Sequence, residues 1–165
     1  MIFEMIGGEA QEYIKIDIRS EELEELRRNT IKNRIQFIDK TPIEIEVGDN
    51  GGIEYPDCIN EPLPLFSDRL KNILESNNID NIFYKPIYLV DTLLEEKHLY
   101  WLVSIPQIDC FTGNEIEYMP EKIGNFKIFR DKLQDDYSIY VTEELKNILE
   151  NEELEGIIFY NITKI

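Results

Sequence analysis

The first candidates for chemistry are three charged residues that stand inside otherwise structural stretches of sequence: Asp57, Asp109 and Arg130. A charge held inside a fold normally needs an opposite charge or several backbone donors. In one interpretation, each carboxylate braces a loop through backbone N–H groups or through the guanidinium of Arg130. In the other, the three residues share a functional pocket. The sequence leaves open whether they are structural or functional.

The residue types that most often catalyse reactions or bind transition metals are scarce. The one histidine, His98, opens an apolar strand, so it is interpreted as an edge or packing residue. Cys58 and Cys110 are far apart and not in Cys-x-x-Cys spacing, which favours buried reduced thiols over a disulfide or a metal site. Among 34 acidic residues, no particular pair of carboxylates stands out as a glycosidase-type site. We therefore expect no catalysis, no cofactor and no bound metal.

The glycine-rich segment Gly48-Asp49-Asn50-Gly51-Gly52 is a second place where a ligand could bind. It lacks the Asp-x-Asp-x-Asp-Gly spacing of a calcium loop and the Gly-Lys-Ser/Thr of a phosphate-binding loop. Its glycines allow positive φ, which suits a hairpin or a flexible turn. The segment is predicted to be a plain turn.

The charge of the chain narrows its class of partner. The 34 acidic and 17 basic side chains give a formal net charge of −17, which repels nucleic acid and anionic lipid and attracts basic proteins. The first nine residues lack the basic start and apolar run of a signal peptide, and no apolar stretch is long enough to cross a bilayer. We expect a cytoplasmic protein that binds neither nucleic acid nor membrane.

Hydrophobic periodicity and capping residues predict strands mixed with a few helices. Helices are predicted after the caps Ser20, Ser67 and Thr142, the second of them ending at about Ser76. Strands are predicted at 14–18, 42–47, 82–89, 98–105, 126–130, 137–141 and 157–163, with 98–105 at the sheet centre because it is nearly all apolar. Since crossover helices do not separate the strands regularly, the predicted fold is a single α+β domain with a mixed, largely antiparallel sheet of six to eight strands and about three helices.

A six-residue stretch occurs twice in the chain. Leu-Lys-Asn-Ile-Leu-Glu stands at 70–75 and at 145–150, an offset of 145 − 70 = 75 residues. The same offset aligns Ser67 with Thr142 and Ile82 with Ile157 without a gap. Both copies are predicted to be a strand, a capped helix and an aromatic-rich strand, which indicates two similar supersecondary units.

Residues 56–163 also resemble a known family. The resemblance lies in the order and spacing of short stretches: Pro56-Asp57, Pro64-Leu65-Phe66-Ser67-Asp68-Arg69-Leu70, Tyr100-Trp101-Leu102-Val103, Ile108-Asp109-Cys110, Ile128-Phe129-Arg130, Ile139-Tyr140-Val141-Thr142 and Gly156-Ile157-Ile158-Phe159. Together they resemble the family-eleven immunity proteins of bacterial polymorphic toxin systems. Residues 1–55 add a strand-helix-strand pattern to this immunity-like core.

The resemblance implies a small cytoplasmic protein that binds a cognate toxin and protects the producing cell. Because many toxins that attack nucleic acid are basic at the active cleft, we expect a basic toxin as partner, attracted by the acidic chain. Acidic residues on turns and aromatic anchors are the candidate contacts: Asp49, Glu54, Tyr55, Phe111, Glu115, Glu117, Tyr118, Glu121, Asp135, Asp136 and Tyr137. A small carboxylate-dependent hydrolase and a scaffold module are the alternatives, and the sequence leaves the toxin and the oligomeric state open.

Overall fold

The computed structural model describes residues 1–32, 39–48, 52–112, 117–132 and 137–162. Within these ranges the chain forms four helices: α1 (Glu21–Ile31), α2 (Asp68–Ser76), α3 (Pro120–Ile123) and α4 (Glu143–Glu150). The strands are β1 (Ile2–Gly7), β2 (Ile43–Val47), β3 (Cys58–Ile59), β4 (Leu65–Ser67), β5 (Phe83–Asp91), β6 (Glu96–Ser104), β7 (Gln107–Ile108), β8 (Phe111–Thr112), β9 (Glu117–Tyr118), β10 (Ile128–Asp131), β11 (Ile139–Thr142) and β12 (Ile157–Asn161). None of the helices so described is long and apolar enough to span a membrane.

The strands form two five-stranded sheets and a short ribbon. The first sheet has the order β12-β1-β11-β10-β7, the second has the order β2-β5-β6-β4-β3, and β8 pairs with β9. Each large sheet has one parallel pair, β7 with β10 and β2 with β5, and is otherwise antiparallel. The α+β class is confirmed, as is the central place of β6. The strands divide between two sheets, however, where the sequence predicted one.

Local capping chemistry explains where the three longer helices begin. The side-chain oxygens of Ser20, Ser67 and Thr142 each accept the backbone N–H three residues later, at 3.2, 3.0 and 3.4 Å. This contact satisfies one of the donors that a helix N-terminus leaves open. All three predicted caps are confirmed, and α2 ends at Ser76 as predicted.

The strand predicted at 14–18 is wrong. Residues 15–18 belong to no strand, and the pairing described here is an isolated bridge between Tyr13 and Glu54, beside which the Ile14 N–H donates to the Glu54 carbonyl at 2.9 Å. Ile14 and Ile16 are nevertheless buried, because alternate side chains of the extended segment face the core. The N-terminal strand of the fold is β1, for which the sequence analysis predicted no element.

Three hydrophobic clusters fill the spaces around the sheets. Both sheets and the leucines of α2 and α4 share one cluster, so these two helices belong to a common core. A second cluster joins α1 and the segment 14–16 to the other face of the second sheet. A third joins α3, Cys110 and Phe111 to the other face of the first sheet. The strand β6 contributes Val103 to the common core and Leu102 to the second, so it is covered on both faces as predicted.

The two copies of the repeated stretch form equivalent units. In both β4-α2-β5 and β11-α4-β12, the two strands run parallel and a third, antiparallel strand lies between them. In the first unit, Trp101 lies opposite residues 66 and 86, and in the second Phe3 lies opposite residues 141 and 161. Both pairs of positions differ by the offset seen in the sequence, since 141 − 66 = 161 − 86 = 75. The predicted pair of similar units is therefore confirmed down to the register.

Candidate functional site: an acidic cleft

Asp57 is held by hydrogen bonds that join the start of α2 to the turn before β12. The carboxylate is buried, its Oδ1 accepts the Ser67 hydroxyl at 2.5 Å, and its Oδ2 accepts the Glu155 N–H at 2.7 Å. The backbone follows the same course, because Asp57 N–H donates to the Glu155 carbonyl at 2.8 Å. This arrangement corresponds to the bracing interpretation.

Asp109 and Arg130 lie in different surroundings from Asp57. Asp109 is exposed, and its carboxylate is 3.9 Å from the ammonium of Lys122 in α3. The Arg130 side chain is buried, and Nη1 points at the Thr30 carbonyl of α1, 3.5 Å away. The structure does not bring the three residues into one pocket.

Five of the candidate contact residues form two separate groups. Phe111 and Tyr118 lie opposite each other in the β8–β9 ribbon and pack on the third core, with Phe111 4.9 Å from Tyr140 between ring centroids. The exposed Glu121 lies in the first turn of α3, directly after this ribbon. These three residues therefore share one side of the first sheet, with the two aromatic rings partly committed to its core.

The second group lies beside the other sheet. Glu54 is exposed, while Tyr55 is half-buried and stacks on His98 with a centroid distance of 3.6 Å. His98 is thus a packing residue, as predicted. Burial and the nearby Asp91 and Glu96 carboxylates raise the pKa of Tyr55. The side chain of Glu117 lies outside the described residues. Four other candidates lie wholly outside them: Asp49, Glu115, Asp135 and Asp136.

The two cysteines are buried and unbridged, in agreement with their prediction as reduced thiols. Burial raises the pKa of the Cys58 thiol, and burial together with the Asp131 carboxylate raises the pKa of Cys110 to about 11. In the ranges that the structure describes, no three His, Cys, Asp or Glu side chains are grouped closely enough to hold a metal ion.

Tyr137 lines a cleft that the sequence analysis did not predict. The cleft has a volume of about 270 Å³, and four segments of the chain contribute to it: residues 4–9 of β1 and its turn, 14–16, 59–61, and 137–138. Its charged lining residues are Glu4, Glu9 and Glu61 against Lys15, a formal charge of 1 − 3 = −2. The cleft is therefore a negatively charged recess.

Asn60 holds the walls of this acidic cleft together. Its Nδ2 donates to the carbonyls of Met5 and Tyr137 at 3.1 and 3.2 Å, and its Oδ1 accepts the Gly7 N–H at 2.7 Å. Gly7 is required at this point, because a Cβ there would lie 2.2 Å from the Cys58 carbonyl oxygen. One side chain thus fixes β1, β3 and the start of β11 relative to one another.

The charged groups of the cleft differ in their exposure and in whether they already bond to other groups of the protein. Lys15 donates its ammonium to the carbonyls of Gly8 and Ala10, so its charge is partly committed to the wall. Glu4 accepts the Ser138 hydroxyl at 3.0 Å and is half-buried, whereas Glu9 and Glu61 are exposed at the rim. The carboxylates are therefore the groups that a ligand entering from solvent meets first.

Tyr137 is a lining residue of the cleft, and most of its surface is buried. It is 8% exposed, and the guanidinium of Arg27 lies 5.9 Å from its ring centroid on the side of α1. Burial raises the pKa of Tyr137, and the Arg27 charge opposes that shift. An acidic recess lined in part by a tyrosine suits a lysine or arginine side chain, whose charge meets the carboxylates.

Neither models of known protein families nor curated protein sequences give a match to this chain. The acidic cleft is consequently interpreted from its own geometry. Local sequence carried little signal for it, since Asn60 is 55 and 77 residues from the two carbonyls that it joins. In the sequence, the Gly7-Gly8 pair was the sign that other parts of the chain pass close to the backbone at this point.

Proposed function

We propose that this protein is an immunity protein, which acts in the cytoplasm by binding a basic cognate toxin and blocking it. The observation that carries the proposal is the acidic cleft, where Glu4, Glu9 and Glu61 surround a recess large enough for one long cationic side chain. The resemblance of residues 56–163 to family-eleven immunity proteins supplies the biological role. The net charge of −17 supplies long-range attraction.

In the proposed mechanism, the association rate and the affinity depend on different features of the protein. The overall negative field steers a basic partner toward the surface and raises the association rate, an effect that salt weakens. Affinity then depends on a few well-packed anchors. In this proposal, a lysine or arginine of the toxin enters the acidic cleft, which Tyr137 lines in part, and its charge is met by Glu9 and Glu61 at the rim.

Co-expression with the toxin encoded by the adjacent gene tests this proposal. We expect growth rescue in a susceptible bacterium and a complex that co-purifies at low salt and weakens at high salt. No rescue, or rescue without any complex, would contradict neutralisation by binding.

Charge-neutralising variants test the cleft itself. We expect Glu4→Gln/Glu9→Gln/Glu61→Gln to slow association about tenfold at low salt and to reduce its salt dependence. The matched control is Glu22→Gln/Glu25→Gln/Glu95→Gln, which makes the same change in net charge at exposed positions outside the cleft. Equal effects of the two triple variants on the association rate would show that only net charge matters and would remove the cleft from the mechanism.

A carboxylate-dependent hydrolase is the second candidate, because the cleft places the Ser138 hydroxyl 3.0 Å from Glu4. A hydroxyl next to a carboxylate is the arrangement from which a base can take a proton. The two functions differ in their response to one substitution. Glu4→Gln alone would abolish rescue by a hydrolase, whereas a binding protein that keeps Glu9 and Glu61 would retain it.

A further inference from the structure

The strand β12 is the outer strand of the first sheet. Its inner side pairs with β1, and no strand pairs with its outer side in the part of the chain that the structure describes. Such an edge presents backbone N–H and C=O groups that can pair with another chain.

The backbone hydrogen bonds at the two ends of the β1–β12 pairing show which residues of β12 point toward β1. Ile162 N–H donates to the Ile2 carbonyl at 3.1 Å, and Gly8 N–H donates to the Gly156 carbonyl at 2.9 Å. Since backbone groups alternate sides along an antiparallel strand, the even-numbered residues of β12 point to β1. The N–H and C=O groups of Ile157 and Phe159 accordingly face the open edge.

The side chains next to this edge are largely apolar. Ile157 and Phe159 pack on the common core and line a groove of about 400 Å³ with Leu149 and Leu154 at the end of α4. On the opposite face, Ile158 and Tyr160 are 47% and 50% exposed. An added strand with alternating apolar side chains would thus find hydrophobic contacts on both faces of the sheet.

In the first unit, the strand that contains the segment equivalent to β12 has such a neighbour further along its length. By the 75-residue offset β12 corresponds to the start of β5, and the second half of β5 pairs in parallel with β2 from Ile43↔Ile87 to Val47↔Asp91. The outer side of β5 is therefore partly covered within the chain. The same side of β12 is open where the structure describes it.

The charge around β12 decides between possible occupants. Two cations lie nearby, the ammonium of Lys146, which pairs with Glu150, and the guanidinium of Arg69, which donates to the Glu152 and Glu153 carbonyls. Four carboxylates in the turn that leads into the strand or on the groove outnumber them and leave a formal charge of 2 − 4 = −2: Glu150, Glu152, Glu153 and Glu155. The C-terminal end of α4, whose last turn contains no basic residue, adds the negative end of the helix dipole. A second copy of this chain would bring like charges together, whereas a basic segment would be attracted.

We propose that β12 is a docking edge at which an extended basic segment of the toxin adds a sixth strand to the first sheet. The inference rests on the proposed function, because it assigns part of the toxin contact to a second surface beside the acidic cleft. Backbone hydrogen bonds to Ile157 and Phe159 give affinity at this edge, and apolar side chains beside Ile158 and Tyr160 give specificity.

Two exposed substitutions test the edge without removing core side chains. Natural edge strands carry exposed lysines that prevent the addition of another strand. Ile158→Lys/Tyr160→Lys introduces two such lysines, and their positive charge also repels a basic partner. We expect at least about tenfold weaker binding of the purified toxin encoded by the adjacent gene. The matched control, Leu93→Lys/Leu94→Lys, makes the same charge change at two exposed leucines of the β5–β6 turn and should bind within about twofold of the unmodified chain.

Hydrogen exchange gives a backbone readout for the same complex. The amides of Ile157 and Phe159 should exchange at least about tenfold more slowly when the toxin is bound. Phe159→Pro, which removes one outward N–H, should bind more weakly than Phe159→Ala, which removes the ring alone.

The outcomes separate the two proposals. Normal binding by Ile158→Lys/Tyr160→Lys, with unchanged exchange at 157 and 159, would overturn strand addition and leave toxin neutralisation standing. Failure of the unmodified chain to form any complex would overturn the proposed function and this inference with it. Should Phe159→Pro not fold, the lysine pair and the exchange measurement still decide the question.

Discussion

The hydroxyl of Ser67 donates a 2.5 Å hydrogen bond to Asp57 Oδ1 and, through the same oxygen, accepts the N–H of Leu70 at 3.0 Å. The cap of α2 is therefore fixed by a carboxylate that also holds the Glu155 N–H of the turn before β12. Asp57 and Ser67 thus connect the two equivalent units of the fold.

Asp57→Ala should destabilise the protein by about 3 kcal/mol, because it leaves a partly buried hydroxyl and a partly buried N–H without their acceptor. Urea unfolding measures the loss as a change in free energy of unfolding. Asp109→Ala is the control and should change this free energy by less than about 0.5 kcal/mol, since Asp109 is exposed. A stable Asp57→Ala variant that no longer binds toxin would instead assign Asp57 a functional role.

The two equivalent helix caps should differ in their contribution to stability. Thr142→Ala removes the cap of α4 and should cost about 1 kcal/mol. Ser67→Ala should cost about 2 kcal/mol, because it removes the corresponding cap of α2 and also the hydroxyl bonded to Asp57. Thermal or urea unfolding of both variants gives the comparison, and equal losses would show that the Ser67–Asp57 bond adds nothing to the cap.

The three longer helices were predictable from sequence because their signals are local. A cap hydrogen bond joins residues three positions apart, so Ser20, Ser67 and Thr142 could be recognised directly. Strand pairing is not local. The alternation at 14–18 correctly reported that Ile14 and Ile16 are buried, but it could not show that this segment belongs to none of the sheets formed by the described residues.

The same distinction explains what the sequence could say of the binding surface. Phe111 and Tyr118 are candidate aromatic anchors, and both rings are half-buried against the third core. The acidic cleft was missed because its walls meet only after folding, when Asn60 bonds the carbonyls of Met5 and Tyr137. Net charge predicted the kind of partner, and tertiary contacts determine where the charge is concentrated.

Two buried tyrosines should respond in opposite ways to loss of their hydroxyl. The Tyr84 hydroxyl is buried and has no hydrogen-bond partner among the described residues, whereas the Tyr100 hydroxyl donates to the Pro56 carbonyl at 2.5 Å. Tyr84→Phe should therefore leave stability unchanged or raise it by up to about 1 kcal/mol, while Tyr100→Phe should lower it by about 1–2 kcal/mol. Urea unfolding of the two matched variants is the test, and a larger loss for Tyr84→Phe would contradict the hydrogen-bonding described.

Alkaline pH should destabilise the protein in part through Cys110. Burial and the Asp131 carboxylate raise the pKa of this thiol from 9.0 to about 11 in the folded protein. Between these two values the folded state keeps a proton that the unfolded state has lost. Stability should therefore be fully present below pH 9 and fall as the pH rises toward 11, by up to about 2 kcal/mol from this residue.

Cys110→Ala isolates this contribution to the pH dependence. The variant will be less stable at every pH because a buried side chain is shortened, so the quantity to compare is the change in free energy of unfolding between pH 8 and pH 11. We expect that change to be smaller in Cys110→Ala than in the unmodified chain, with the remainder arising from Cys58 and the tyrosines whose pKa burial also raises. Identical changes in the two proteins would show that Cys110 ionises as easily when folded as when unfolded. In that case the thiol would have to reach solvent at high pH, in contradiction to its burial beneath the β8–β9 ribbon.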